Sequence, residues 1–179
     1  MKFHLMPKKI NDMSNEADGA TRDGDVAVEG DGGGMVLWTR RPVCGPRTAV
    51  VDRLSELRSA GTIAAFEVET WPEEIAISEH TRHARVVETY ERFRAWAETA
   101  GVSITPPFDR RTVTSLVGRT EEVLTLPVLC LAVYDDDLCG VYPCSDGDRT
   151  WTVTDYLDAC ERSGGRPATA GVGSVPSGR

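Results

Sequence analysis

Residues 124–147 read LTLPVLCLAVYDDDLCGVYPCSDG, the most apolar run in the chain, and the run ends in its densest cluster of reactive side chains. Val128, Cys130, Ala132 and Tyr134 alternate with Leu129, Leu131 and Val133. Both sets are apolar, so a strand here needs cover on both faces; a half-solvated strand would alternate apolar with polar. A short buried helix would give the same run, but the β-branched residues, Pro127 and the acidic triplet Asp135-Asp136-Asp137 favour a strand. Pro127 lacks an N–H and belongs at a bulge, an edge or a strand start. Three successive carboxylates resist burial, so the chain turns there and Leu138 to Tyr142 returns as the second strand of a hairpin. Pro143-Cys144-Ser145-Asp146-Gly147 reads as a tight turn by its residue types.

Working outward, Phe108 to Leu116 and Glu121 to Tyr134 read as strands joined at Val117-Gly118-Arg119-Thr120, which extends the hairpin into a three-strand antiparallel meander. Met35 to Thr39 reads as a short strand. A helix follows, with Pro46 at its first position, Gly61 at its end, and Val50, Leu54 and Leu57 on one face. Ile63 to Trp71 is a strand with Phe66, Val68 and Thr70 on one side and Glu67 and Glu69 on the other. Strand, helix, strand over so short a span is a βαβ unit with parallel strands. Ser78 suits the N-cap of a second helix and Gly101 its C-terminal cap, with His83, Val86, Val87, Tyr90, Phe93, Ala97 and Ala100 at helical spacing. A last helix, Val153 to Arg162, has Thr152 as N-cap, Gly164 beyond its end, and Val153, Tyr156, Leu157 and Cys160 as its inner stripe. The expected fold is α+β: βαβ, helix, three-strand antiparallel meander and C-terminal helix, in a mixed sheet of about five strands with helices on one or both faces. Residues 1–34 are rich in Gly, Asp, Asn and Glu, and residues 163–179 are poor in apolar side chains. They read as a disordered and a flexible tail around a single domain, 35–162.

The net charge is −8 with a pI near 4.9, and of the 20 basic residues only Lys2, Lys8 and Lys9 are lysine. An acidic domain with arginine as its sole cation points to a cytoplasm of molar salt, where the Debye length falls to about 3 Å and self-repulsion is screened. An ordinary acidic protein from a GC-rich genome would share this composition; unfolding at low salt separates the two. The five cysteines, Cys44, Cys130, Cys139, Cys144 and Cys160, are odd in number and irregularly spaced. That pattern fits reduced intracellular thiols better than a disulfide framework. MKFHLMPKKI has no adequate apolar core for a signal peptide, and no run approaches a membrane span, so a soluble cytoplasmic protein with no membrane contact is expected.

The assembled blocks resemble a family of small haloarchaeal proteins known as helix-turn-helix (HTH) domain proteins. The matching pieces are Gly61-x-Ile63-x-x-Phe66-x-Val68-x-x-Trp71, Phe93-x-x-Trp96-Ala97, Leu126-Pro127-Val128-x-Cys130-Leu131-Ala132-x-Tyr134, Pro143-Cys144-Ser145-Asp146-Gly147 and Thr152-Val153-x-Asp155-x-Leu157. The resemblance as a whole covers roughly Val36 to Cys160, nearly the whole expected domain. The resemblance implies a DNA-associated regulatory role and brings no catalytic residues with it.

Three constellations carry candidate chemistry. Cys130, Cys139 and Cys144 are a candidate thiol cluster for zinc, with Cys160 or a histidine as fourth ligand. The spacing lacks the paired C-x2-C units of a ribbon or finger, so buried thiols acting as small hydrophobes are the favoured reading and no metal or other cofactor is expected. Cys144-Ser145-Asp146 would need a base to act as a nucleophile. His4, His80 and His83 are the only histidines, so a backbone-bonded turn is favoured and no enzyme is expected. Arg40, Arg41, Arg82, Arg85, Arg110 and Arg111 are the candidate nucleic-acid contacts, set against solvated arginines paired with the many acids. The run Gly32-Gly33-Gly34 has no following Lys-Ser/Thr and is not a phosphate loop. The expected function is a non-enzymatic DNA-associated regulator; the alternative is a protein-interaction or small-ligand-sensing module without DNA binding. Sequence does not set the oligomeric state.

Overall fold

Cys130, Leu131, Ala132 and Val133 are all completely buried, which demands cover on both faces of the strand they form, β6 (Leu129–Asp135). The computed structural model describes residues 34–77, 81–114, 116 and 118–167. Within them β6 is an inner strand of a four-stranded sheet. On one side lies β1 (Gly34–Arg40), antiparallel, with Leu37 opposite Leu131 and Trp38 opposite Cys130. On the other lies β7 (Asp137–Tyr142), also antiparallel, with Ala132 opposite Val141. The hairpin turn is acidic, as expected, and Asp136 takes a left-handed φ of 63°, a conformation short polar side chains tolerate. The register shifts between Val133 and Tyr134, so Cys139 is the extra residue of a bulge. After β1 the chain forms α1 (Pro46–Ser59) and returns as β2 (Ala65–Trp71), parallel to β1 at the sheet edge. The opening βαβ unit is the one its sequence pattern implies, and the order is β2-β1-β6-β7.

The fold is α+β, but the strands are shared between two sheets and a ribbon, whereas the sequence pattern suggested one sheet of about five strands. The second sheet comprises β3 (Glu74–Ile77), β4 (Asp109–Thr114) and β5 (Thr120–Thr125), antiparallel in the order β3-β5-β4. The cause is the Leu126-Pro127-Val128 link. Pro127 has no N–H for a ladder, and its carbonyl accepts the Trp71 indole N–H at 2.9 Å. The Leu126 N–H donates to the Glu73 carbonyl at 2.9 Å, and the Val128 carbonyl accepts the Arg40 N–H at 3.1 Å. The apolar run 121–134 therefore leaves one sheet before Pro127 and enters the other after it. The sequence pattern also gave no separate β3, whose Ile75 is buried.

Alternation along the strands sorts the four-stranded sheet into two covered faces. One face meets α1 and α3 (Val153–Ser163), which lie side by side. Val50, Leu54 and Leu57 of α1 and Val153, Tyr156, Leu157 and Cys160 of α3 are buried, and Tyr142 of β7 stacks on Tyr156 at 4.6 Å. Trp38 and Trp71 belong to the opposite face and stack at 5.1 Å. Trp71 meets Phe108 edge-on at 5.7 Å, and Phe108 in turn meets Tyr90 and Phe93 of α2 (Ala84–Ala100) at 5.7 and 6.1 Å. Of the expected stripe of α2, Val86, Tyr90, Phe93 and Ala97 are buried and Val87 is half-buried. Its start differs: the helix begins at Ala84, and His83, expected on that stripe, is an exposed N-cap residue whose N–H donates to Thr81 Oγ1 at 3.2 Å. Ser78, the expected N-cap, lies outside the described residues, as do residues 1–33 and 168–179 of the expected tails. Ser163 closes α3, and Arg166 reaches Asp135 and the Cys139 thiol, both at 3.4 Å.

The α3 start is a reciprocal capping box. The Asp155 N–H donates to Thr152 Oγ1 at 3.1 Å, while Asp155 Oδ2 accepts from the Thr152 N–H at 2.8 Å. Thr152→Ala should cost about 1 kcal/mol in chemical denaturation. The backbone N–H and the hydroxyl of Thr152 hold the Asp155 carboxyl below its ordinary 3.8. A depressed carboxylate contributes stability that is complete above its unfolded value and is lost as pH falls through the folded one. Asp155→Asn should therefore flatten part of the acid limb of the stability curve below about pH 4 and leave its slope near neutrality unchanged.

Candidate nucleic-acid interface

Structure divides the six candidate arginines by what already holds them. Arg40 is mostly buried at the end of β1. Its Nε donates to the Leu126 carbonyl at 2.9 Å, its Nη2 to the same oxygen, and its Nη1 pairs with Glu73 at 2.9 Å. This side chain ties the two sheets together and offers little to a phosphate. Arg41 follows it, exposed, with Nε donating to Thr70 Oγ1 at 3.0 Å. Arg47, at the start of α1, donates to the Arg40 and Pro42 carbonyls. Arg85 pairs with Glu69 at 2.8 Å and lies 5.8 Å from the Trp38 ring centre. Arg82 is exposed just ahead of α2.

Arg110 and Arg111 sit on β4, and neighbouring strand residues point to opposite faces. Arg110 grips Glu122 through two nitrogens, at 2.7 and 3.2 Å, and reaches Glu91 of α2 at 3.6 Å. The hydrogen bond to Glu122 holds the Arg110 guanidinium more firmly protonated and pulls the Glu122 carboxyl below its usual range. Arg111 pairs with Glu74 across β5. From Arg110 to Thr114 β4 is exposed, as are Thr120 and Glu121 opposite, and Leu116 at the hairpin end is in full contact with solvent. The outer half of β4–β5 is thus a ribbon projecting from the core. Arg119 also lies on this ribbon. In the sequence it stands in the Val117-Gly118-Arg119-Thr120 turn, and that place beside Gly118 is the only signal it offers.

The six arginines therefore do not form one patch. Arg40, Arg41 and Arg85 gather where β1 and β2 end, while Arg110 and Arg111 lie on the ribbon. Among the described residues no two helices are joined by the three- or four-residue turn of a helix-turn-helix. β2 and β3 separate α1 from α2, and six strands separate α2 from α3.

The candidate thiol cluster is divided too. Cys130 and Cys144 are both buried, and close enough that a charge on Cys144 would disfavour ionisation of Cys130. Cys139 points elsewhere, donating its S–H to the Val133 carbonyl at 3.3 Å. No three His, Cys, Asp or Glu side chains among the described residues are grouped to hold a metal ion. The Cys144-Ser145-Asp146 segment is no sharp turn: β8 (Cys144–Ser145) pairs with β9 (Thr150–Trp151). The turn falls one step later, where Asp146 Oδ1 accepts the N–H groups of Asp148 and Arg149 at 3.2 and 2.9 Å. Burial pushes the Cys130 thiol well above its usual range. Burial and then the Asp146 charge push Cys144 up to about 12. Cys44 alone of the five thiols is exposed. At pH 8 a disulfide reagent should modify one thiol rapidly in the native protein and all five in denaturant, and Cys44→Ser should remove the rapid phase.

No described helix is long and apolar enough to cross a membrane. No curated protein matches the chain, and no solved structure does. Comparison with protein families finds the Helix-turn-helix domain over residues 31–165, from before β1 to the end of α3, three quarters of the sequence. By that match the chain belongs to the Helix-turn-helix domain family.

Proposed function

We propose that the protein is a DNA-associated transcription regulator without enzymatic activity, working in a cytoplasm of high salt. Family membership over residues 31–165 carries the reading. The projecting β4–β5 ribbon supports it, because a two-stranded ribbon is one of the two elements the DNA major groove admits. Arg110 and Arg111 are its candidate contacts. Their carboxylate partners are exposed, and such pairs hold by only about 0–1 kcal/mol, so phosphates or guanine edges displace them at little cost. Counterion release adds little affinity at high salt, so recognition falls to base-edge contacts and DNA shape. The acidic, lysine-free domain supports the high-salt habitat.

Chromatin enrichment from cells grown at their native salt tests this. Discrete enriched sites are expected for the full chain, and the double variant Arg110→Gln/Arg111→Gln should lower their occupancy at least several-fold, about 1–3 kcal/mol per lost base contact. Uniform background for the native chain would overturn the reading.

A further inference from the structure

A cavity of about 200 Å3 opens between the β8–β9 ribbon and α3. The stacked rings of Tyr142 and Tyr156 line it together with Trp151. The Tyr156 hydroxyl is buried and makes no well-formed hydrogen bond, although the Arg166 guanidinium is its neighbour. Two further cations, Arg149 and Arg162, line the same cavity. The acids on its rim are already engaged: Asp155 accepts from the Thr152 N–H and hydroxyl, and Asp158 is held by Arg53. Arg149 lies over the Trp151 ring at 5.3 Å, and the Arg162 Nε donates to the Asp158 carbonyl at 3.2 Å. Neither forms an ion pair with a carboxylate among the described residues, whereas Arg40, Arg53, Arg85, Arg94, Arg110 and Arg111 each do. In a chain of net charge −8, two guanidinium groups that close no ion pair share one aromatic-lined hollow, Arg149 acting on the Asp155 carboxylate only at longer range.

We infer that this cavity binds a small aromatic carboxylate, its ring against Trp151 and the tyrosines and its carboxylate held by Arg149 and Arg162. Guanidinium forks match a carboxylate in charge and planarity. The volume lies below the roughly 300 Å3 at which drug-sized sites begin, which suits a ligand with a single ring. An aliphatic acid would leave the aromatic lining unused, and an aromatic cation would meet two like charges. The inference stands independently of DNA binding.

Titration calorimetry of the full chain with phenylacetate, acetate and benzylamine, at a salt concentration that keeps it folded, tests the assignment. Phenylacetate should bind saturably at one site, at least about tenfold more tightly than acetate, while benzylamine gives no saturable heat. The double variant Arg149→Gln/Arg162→Gln should keep the native melting temperature and bind phenylacetate at least about tenfold more weakly. If that variant melts early, the Trp151 indole N–H resonance of the unmodified chain decides: a shift on adding phenylacetate supports the site, and no shift overturns it. Absence of saturable phenylacetate binding, equal binding of benzylamine, or undiminished binding by a folded double variant would each overturn it.

Discussion

Trp71→Ala should lower the unfolding free energy by about 4 kcal/mol, the upper range for truncating a buried aromatic. The indole is buried, stacks on Trp38 at 5.1 Å and meets Phe108 edge-on at 5.7 Å, so its removal opens a void between the four-stranded sheet and α2. It also strips the Pro127 carbonyl of the N–H it accepts at 2.9 Å. Trp71→Phe separates the two contributions: it retains most of the ring packing, loses that bond, and should cost about 1–2 kcal/mol. Denaturant titration followed by the far-ultraviolet signal measures both. A loss below about 1 kcal/mol for the alanine variant would contradict the packing described, since a void of that size cannot close so cheaply.

Arg40→Ala is expected to cost about 2–4 kcal/mol, far more than a surface arginine, because the Leu126 carbonyl loses both guanidinium donors and Glu73 loses its partner. Arg40→Lys should recover less than half of this, since one ammonium cannot reproduce a fork with two nitrogens on one oxygen and a third on a carboxylate. Thermal unfolding of the two variants checks the order. If lysine substitutes without loss, the side chain is a surface charge and returns to the nucleic-acid candidates. Arg82→Ala serves as the control, its exposed position leaving stability within about 0.5 kcal/mol of the unmodified chain.

Much of this architecture was legible because local signals and burial agree. The double apolar alternation at 128–134 marks β6, Pro46 marks the start of α1, and Thr152 with Asp155 marks the cap of α3. The parallel β1–β2 pair followed from the short crossover. What was not legible depends on distant partners. Pro127 is by its chemistry unfit for a strand interior, yet nothing local says that Trp71 and Arg40 take the freed carbonyls and send the chain into another sheet. β3 is only four residues long and lies just beyond Pro72, too brief for its Ile75–Ile77 alternation to stand out. The start of α2 rests on His83 and Thr81, whose roles no capping rule assigns. The arginines show the same limit: their count and type are plain in the sequence, but which of the six candidates are tied to carbonyls or carboxylates is decided by residues 12 to 86 positions away.

The projecting end of the β4–β5 hairpin and the Leu126–Val128 link respond oppositely to changes in chain length. At the tip, where Leu116 faces solvent, a spliced peptide or affinity tag extends a ribbon whose outer half contributes nothing to the core. A single residue inserted at the link would instead rotate every β6 side chain to the opposite face and carry Leu131 and Cys130 past their partners in β1. Natural variation in length should therefore accumulate at the first place and be purged at the second.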